Sequence, residues 1–298
     1  MQVNILYDFL EGPWGGGNQF LKALKSNLEN KNLYEESPLK ADIILVNSKD
    51  NLDKARDLIV NHNKKCVHRL DGIFKLYRGD SDYDNDLRVY YFMKKYASGV
   101  IYQSKWSQEQ HKINGAKSLN KEAVIHNAVN PSIFNKSENT LKGKIKLITT
   151  SWSSNPRKGF HFLKHLDEYL DFNKFEYTFI GNSPIEFKNI KMINPLDSKG
   201  ISENLKQHNI FITGTENDTC SNSLIEALSC GLPVVALNSG GSPELIEKGG
   251  EVFNDNKELI DCINKVSDNL SYYKSNINTS NIDYISDQYY NFLKKCIK

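Results

Sequence analysis

Two carboxylates with seven residues between them, Asp218 and Glu226, straddle Ser221-Asn222-Ser223 in the stretch D-T-C-S-N-S-L-I-E-A-L-S-C-G. Small polar side chains of this kind open helices, where the first backbone N–H groups lack intrahelical partners. The helix they open ends at Gly231, ahead of the β-branched pair Val234-Val235, so the unit reads as loop, helix, turn and buried strand. Exposed amides and partial positive charge at a helix start suit a phosphate. Glu226, more than one turn further in, suits sugar hydroxyls. The window therefore reads as a site for a nucleotide-sugar diphosphate, against the plainer alternative of a capped amphipathic helix.

Four other loops carry residues with chemistry. Gly12-Pro13-Trp14-Gly15-Gly16-Gly17-Asn18 follows the first strand, and its adjacent glycines permit close approach of backbone to a ligand. It does not fit G-x-G-x-x-G, and no acidic residue clearly ends the next strand, which disfavours a nicotinamide cofactor. His68-Arg69-Leu70-Asp71-Gly72 places three ionisable groups at the end of an apolar strand, where burial is costly unless something uses them. The competing reading is a structural Arg–Asp pair with a histidine beside it. In Thr150–Gly159, Arg157 and Lys158 sit before a helix start, against the macrodipole, and could neutralise a diphosphate leaving group. Asn238–Glu244 is a further flexible loop that ends in a proline-started helix.

The elements that must position these loops alternate along the chain. Strands are expected at Val3–Tyr7, Asp42–Val46, Cys66–Leu70, Val100–Gln103 and Ala123–His126, with helices at Gln19–Asn30, Leu52–His62, Leu87–Tyr96 and Trp106–Ile113. A polar segment, Asn135–Lys144, reads as a linker. The pattern then restarts, with strands at Lys146–Thr150, Tyr177–Ile180, Ile210–Thr213, Val234–Leu237 and Glu251–Phe253. The helices among them are Phe160–Leu170, Ser202–His208, Ser223–Cys230 and Lys257–Ser267. Such alternation predicts an α/β chain of two doubly wound parallel sheets whose strand C-termini present the ligand loops. The expected domains are 1–140 and 141–283, with the amphipathic tail 284–298 packing back on the first.

Bulk properties narrow the function classes. The 298 residues are 39% hydrophobic and 25% charged, with a net charge of +2, and support two cores. The basic residues are scattered rather than striped, so nucleic acid is not an expected partner. Weak attraction to an acidic membrane surface stays open. Five cysteines without a C-x-x-C pair argue against a zinc site or a disulfide framework and fit a reducing cytoplasm. No window reaches the ~20 apolar residues a spanning helix needs.

The set as a whole resembles the retaining glycosyltransferases of family 4, with the GT-B fold of two facing Rossmann-like domains and a cleft between them. The resemblance is carried by Gly15-Gly16-Gly17, Val124–Pro131 with Phe134, Arg157–Phe160, Ile180-Gly181-Asn182, Asp218–Pro233 and Ser239–Leu245, in the family's order and over most of the chain. It implies transfer of a sugar from a nucleoside diphosphate donor to a glycan, lipid-linked or other hydroxyl acceptor, with retained anomeric configuration, no metal and no cofactor. It further implies that Glu226 binds the donor ribose, Asp218 faces the transferred sugar, and Lys158 with Ser221, Asn222 and Ser223 holds the diphosphate. Gly181 and Asn182 fall at a donor-binding position. Gly16 and Gly17 would close from the other domain, and His68 and Asp71 would lie near the sugar and acceptor. The departing phosphate itself would take the acceptor proton. Two departures stand out: the first acid of the family's E-x7-E is Asp218, and Ser153 stands where an arginine is usual, with Arg157 as its substitute. A catalytically silent GT-B subunit, binding nucleotide sugar or a partner glycosyltransferase, is the rival reading.

Overall fold

The computed structural model describes residues 1–12, 15–136 and 143–297. Two compact units divide them. The first comprises Met1–Leu10, Gly17–Ala128 and Ser280–Lys298, and the second comprises Glu11–Gly16 and Val129–Thr279. The change of unit at Val129 precedes the expected boundary at 140, because Phe134 is buried in the second unit's core. Residues 137–142 of the expected linker Asn135–Lys144 lie outside the described residues, as do Pro13 and Trp14 of the glycine-rich loop.

The first unit is built on a parallel sheet of β1 (Val3–Leu6), β2 (Ile43–Asn47), β3 (Lys65–Arg69), β4 (Gly99–Tyr102) and β5 (Glu122–Val124), paired in that order. Its helices are α1 (Gly16–Asn30), α2 (Leu52–His62), α3 (Phe74–Arg78), α4 (Tyr83–Tyr96) and α5 (Lys105–Ile113), with the C-terminal helix of the chain, Ile282–Ile297. Strands β1, β2 and β4 are buried at every position, because helices cover both faces and both sides of each strand must be apolar. Phe20, Leu21 and Leu24 of α1 join Ile285, Tyr289 and Leu293 of the C-terminal helix on one face. Leu52, Ala55 and Leu58 of α2 and Phe92 of α4 cover the other. The winding reverses at β1. After α1 the chain makes a single parallel bridge, Tyr34 to Val3, on the outer edge of β1 and returns to β2 on the other side.

The second unit holds β6 (Ile145–Ser151), α6 (Phe160–Tyr169), β7 (Phe175–Gly181), β8 (Lys191–Ile193), α7 (Ser198–Leu205), β9 (Ile210–Thr213), α8 (Asn222–Ser229), β10 (Val234–Leu237), α9 (Ser242–Ile246), β11 (Gly250–Phe253), α10 (Asn256–Asp268) and α11 (Leu270–Ser275). The final helix of the chain, Ile282–Ile297, is α12. The six strands run parallel in the order β11-β10-β9-β6-β7-β8. Alternate residues serve opposite layers: Leu147 faces the α6 and α10 core, and Ile148 faces the α7 and α8 core. Truncating a fully buried side chain there, such as Phe211, should cost about 3–5 kcal/mol.

The order places a topological switch point between β6 and β9, which lie side by side although their connections leave in opposite directions. In open parallel sheets the crevice beyond the strand C-termini at such a point is where ligands bind. The loops after β6 and β9 carry the charged and small polar residues singled out above. Strand β8 went unexpected, being three residues long, at an edge, with Lys191 and Met192 exposed.

Candidate functional site

The loop after β6 is shaped by its own side chains. Ser151 Oγ donates to Ser153 O at 2.8 Å, Ser153 Oγ accepts from Asn155 N at 3.2 Å, and Asn155 Oδ1 accepts from Arg157 N at 2.9 Å. These turns start the short 3-10 segment Pro156–Lys158, which delivers two cations to the switch point. Gly181 pairs in register with Ser151, Asn182 N donates to Ser151 O at 3.0 Å, and Asn182 Nδ2 donates to Trp152 O at 2.7 Å. Both residues thus support the β6 loop. Trp152, on the same loop, is 40% exposed, and the motif reading gave it no role.

The loop after β9 is tied to it. Glu216 N donates to Arg157 O at 2.8 Å, and Arg157 Nη1 lies 3.5 Å from Glu216 Oε2. Lys158 Nζ lies 3.5 Å from Asp218 Oδ2, the two side chains being 20% and 22% exposed. At that spacing and exposure the pair adds little to stability, of order 1 kcal/mol at most, but it holds the ammonium at the switch point. Asp218 is fixed from the far side by the loop after β10. Gly241 N donates to Asp218 O at 2.8 Å, and Asn217 N donates to Ser239 Oγ at 2.9 Å. Gly240 has φ +65°, and a Cβ there would overlap the Asp218 backbone, so only glycine permits the contact. The Ser239–Gly241 motif therefore acts by placing Asp218.

Helix α8 starts immediately beyond. Ser221 is its N-cap and makes no side-chain hydrogen bond to the helix backbone; its hydroxyl lies 3.1 Å from Ser223 Oγ. The hydroxyl pair and the first-turn amides are thus presented at the positive end of the helix dipole. Glu226 stands one turn further along on the same helix. It is part-buried, and burial pushes its carboxyl pKa up to about 8. Its carboxyl has no hydrogen bond or ion pair among the described residues. An unanswered, desolvated carboxyl is a cost to the empty protein that a ligand with paired hydroxyls would relieve.

Of the glycines after β1, Gly15 and Gly16 count with the second unit and Gly17 with the first. A Cβ on Gly16 would come within 2.8 Å of Asn222 Cβ in the same unit, so this glycine is required by close approach rather than by φ. Asn222 is thereby brought to the glycine-rich loop as well as to α8.

In the first unit the structure separates residues that the sequence reading had grouped. His68 is 0% exposed, its ring 5.2 Å from that of Phe92, and its Nε2 donates to Ser48 O at 2.6 Å. Burial lowers its pKa to about 4, so it is neutral. It lies in the layer beneath the sheet, against Phe92, because alternate residues of β3 face opposite layers. Asp71 does reach the strand ends, where Oδ1 accepts from Gly72 N and Gln103 Nε2, both at 3.0 Å. Its backbone carbonyl accepts from His111 Nε2 at 2.9 Å; His111 is also buried, which holds its pKa near 4. No Arg69–Asp71 ion pair exists. Gln103 and His111 escaped the sequence reading: the first ends an expected strand and the second lies inside a helix. Among the described residues no three His, Cys, Asp or Glu side chains gather as a metal site would require.

Residues 146–269 match the protein family described as glycosyl transferases group 1. Across nearly the whole length, the chain is similar to Anabaena HepE crystallised with UDP-glucose, with 18% identity, TM-score 0.73, and coverage of 99% of this chain and 98% of that one. It is equally similar in extent to sucrose-phosphate synthase from Thermosynechococcus elongatus, with 13% identity, TM-score 0.79, and 99% of both chains covered. The chain has the GT-B fold. No curated protein matches it in sequence. The matched family segment of this GT-B chain contains the β6, β9 and β10 loops and Glu226 together. No helix among the described residues is long and apolar enough to cross a membrane.

Proposed function

We propose that the chain is a retaining glycosyltransferase of the family 4 type, which moves a sugar from a nucleoside diphosphate donor to a hydroxyl acceptor without a metal. The observation that carries this reading is the desolvated Glu226 carboxyl, without a partner among the described residues, on the same helix whose N-terminus lies beside the loop holding the Lys158–Asp218 pair. A nucleotide sugar answers each part. Its ribose hydroxyls satisfy Glu226, its diphosphate takes the Lys158 ammonium and the α8 amides, and its sugar lies against Asp218. HepE, similar in fold, was crystallised with UDP-glucose and with UDP, which supports a nucleotide-sugar donor here.

In this mechanism the bond from the anomeric carbon to the phosphate oxygen breaks as negative charge develops on the diphosphate. Lys158 and the α8 dipole are fixed in advance where that charge appears, which is where electrostatic stabilisation lowers a barrier most. The acceptor oxygen bonds to the same face of the anomeric carbon, and its proton passes to the departing phosphate oxygen. Asp71 contributes on the acceptor side. The acceptor is a glycan, a lipid-linked sugar or another hydroxyl compound.

A catalytically silent subunit that only binds nucleotide sugar is favoured by one observation: Ser153 replaces the usual arginine, while Arg157 is engaged with Glu216. Release of nucleoside diphosphate from UDP-, GDP- and ADP-sugars by the purified chain decides between them. Turnover of one donor, abolished by Lys158→Ala, supports the enzyme. Tight binding without release supports the silent subunit.

A further inference from the structure

Arg69 is buried at 0% exposure in β3, and among the described residues no carboxylate pairs with it. Its guanidinium is answered by neutral groups: Nε donates to Tyr289 Oη at 3.1 Å, Nη1 to Asn47 Oδ1 at 2.5 Å and Nη2 to Asn127 Oδ1 at 2.8 Å. The Phe20 ring lies 5.0 Å away. A buried cation met only by neutral acceptors is costly unless its charge is passed on.

The amides do pass it on. Asn127 accepts from Arg69 and donates through Nδ2 to Gln103 Oε1 at 3.1 Å. Gln103 in turn donates through Nε2 to Asp71 Oδ1 at 3.0 Å and to Leu70 O at 2.9 Å. On a second branch, Asn47 donates through Nδ2 to Asp50 Oδ2 at 3.0 Å. Along each branch the amide oxygens accept on the guanidinium side and the amide nitrogens donate away from it, so that one branch ends on Asp71 and the other on Asp50. The dipoles are therefore aligned from the buried cation to the strand ends, an arrangement in which each bond polarises the next. Gln103 is 2% exposed and Asn127 4%, so neither amide can turn over without leaving buried groups unpaired.

The consequence falls on Asp71. Oδ1 is held by Gln103 and by Gly72 N, and the backbone carbonyl by His111. Oδ2 has no hydrogen bond among the described residues and lies 3.4 Å from where a Cβ on Gly17 would stand. We propose that Gln103 is a positioning residue, the last link of an Arg69–Asn127–Gln103 relay that pins Asp71 Oδ1 and thereby presents Oδ2 to the acceptor. This rests on the reading above that Asp71 serves the reacting centre. Gln103 touches no substrate in this scheme and acts only through Asp71.

The test uses the full chain and nucleoside diphosphate release from whichever of UDP-, GDP- and ADP-glucose it consumes. Gln103→Met keeps the volume and removes the donor. Gln103→Glu keeps the shape and faces Asp71 with an acceptor, and serves if the methionine variant is insoluble. Both should lower kcat by ~10–10²-fold, the scale of a misplaced reacting group, with donor Kd within about threefold of wild type. On an Asp71→Asn background, Gln103→Met should cost nothing further, because its effect runs through the carboxylate already removed. A Gln103→Met protein with a lowered Tm and full kcat overturns the relay while leaving Asp71 and the proposed activity standing. A silent Asp71→Asn overturns the acceptor-side reading and the relay with it.

Discussion

Glu226→Gln is expected to make the empty protein more stable and the loaded protein weaker, an opposition that a surface glutamate could not produce. In the structure burial raises the Glu226 carboxyl from an ordinary 4.5 to about 8. The folded state therefore holds a proton that the unfolded state has lost between these values, so stability falls as pH rises from ~4.5 to ~8. At ~1.4 kcal/mol per unit the ceiling is about 5 kcal/mol. Water reaching a part-buried carboxyl reduces this to ~2 kcal/mol. The glutamine side chain has the same shape and no such titration. Near pH 8.5 the variant should melt ~4–8 °C above wild type, on the scale of 2–4 °C per kcal/mol for units of this size. Near pH 4.5 the two should coincide. Donor binding runs the other way. Ribose hydroxyls donate best to a carboxylate, so wild type at pH 7, with the group about nine-tenths protonated for a pKa of about 8, should release a proton on binding. Titration calorimetry in two buffers of different ionisation enthalpy reads that proton directly. Glu226→Gln should release none and bind ~10–10²-fold more weakly, the loss of one or two charge-assisted hydrogen bonds. Equal melting curves across pH would show that Glu226 is not desolvated in the fold, and unchanged donor affinity would show that it does not hold the donor.

Lys158→Ala should lower turnover by ~10²–10³-fold, as when one preorganised charge stabiliser is removed. Arg157→Ala should cost less, since Arg157 is engaged with Glu216; steady-state kcat for each variant checks both. Gly240→Ala drives a Cβ into the Asp218 backbone, so it should displace Asp218 and lower both Tm and kcat, as melting and turnover on one preparation will show. Gly16→Val collides with Asn222 and should weaken donor binding measurably by calorimetry. His68 and His111 are held neutral with pKa values of about 4, so the unfolded state takes up their protons first as pH falls. Stability should therefore drop from about pH 6.5 toward pH 4, and His68→Phe should flatten that slope and change Tm while leaving donor Kd unaltered.

The strands were legible because parallel strands buried on both faces must be continuous apolar runs. Ile210–Thr213 and Val234–Leu237 coincide with their expected spans, and the others lie within about two residues. The residues that gather at the switch point were legible because loop chemistry at strand ends is local: Lys158, Asp218 and Ser221 come from strand-end segments whose composition departs from the core, and Glu226 from the helix that follows. What stayed hidden was non-local. Nothing in His68-Arg69-Leu70-Asp71 distinguishes the residue that faces the strand end from the one that faces the layer below, where His68 is a buried, neutral ring. The arginine looked like a partner for Asp71. Its actual partners, Asn47, Asn127 and Tyr289, are 22, 58 and 220 residues distant in sequence. Gln103 and His111 gave no signal because an isolated polar residue at the end of a strand or within a helix is ordinary. The role of Ser239–Gly241 in clamping Asp218 likewise needs the pairing of β9 and β10, which composition alone does not fix.

Binding of the donor at the switch point between β6 and β9 is open to direct measurement. Amide hydrogen exchange of the full chain, with and without saturating nucleotide sugar from the UDP, GDP and ADP series, tests it most directly. A donor seated there protects 152–159, 214–226 and 239–241 together, with little change along β8 and α11. Protection confined to other segments, or none under conditions where calorimetry shows binding, would contradict it.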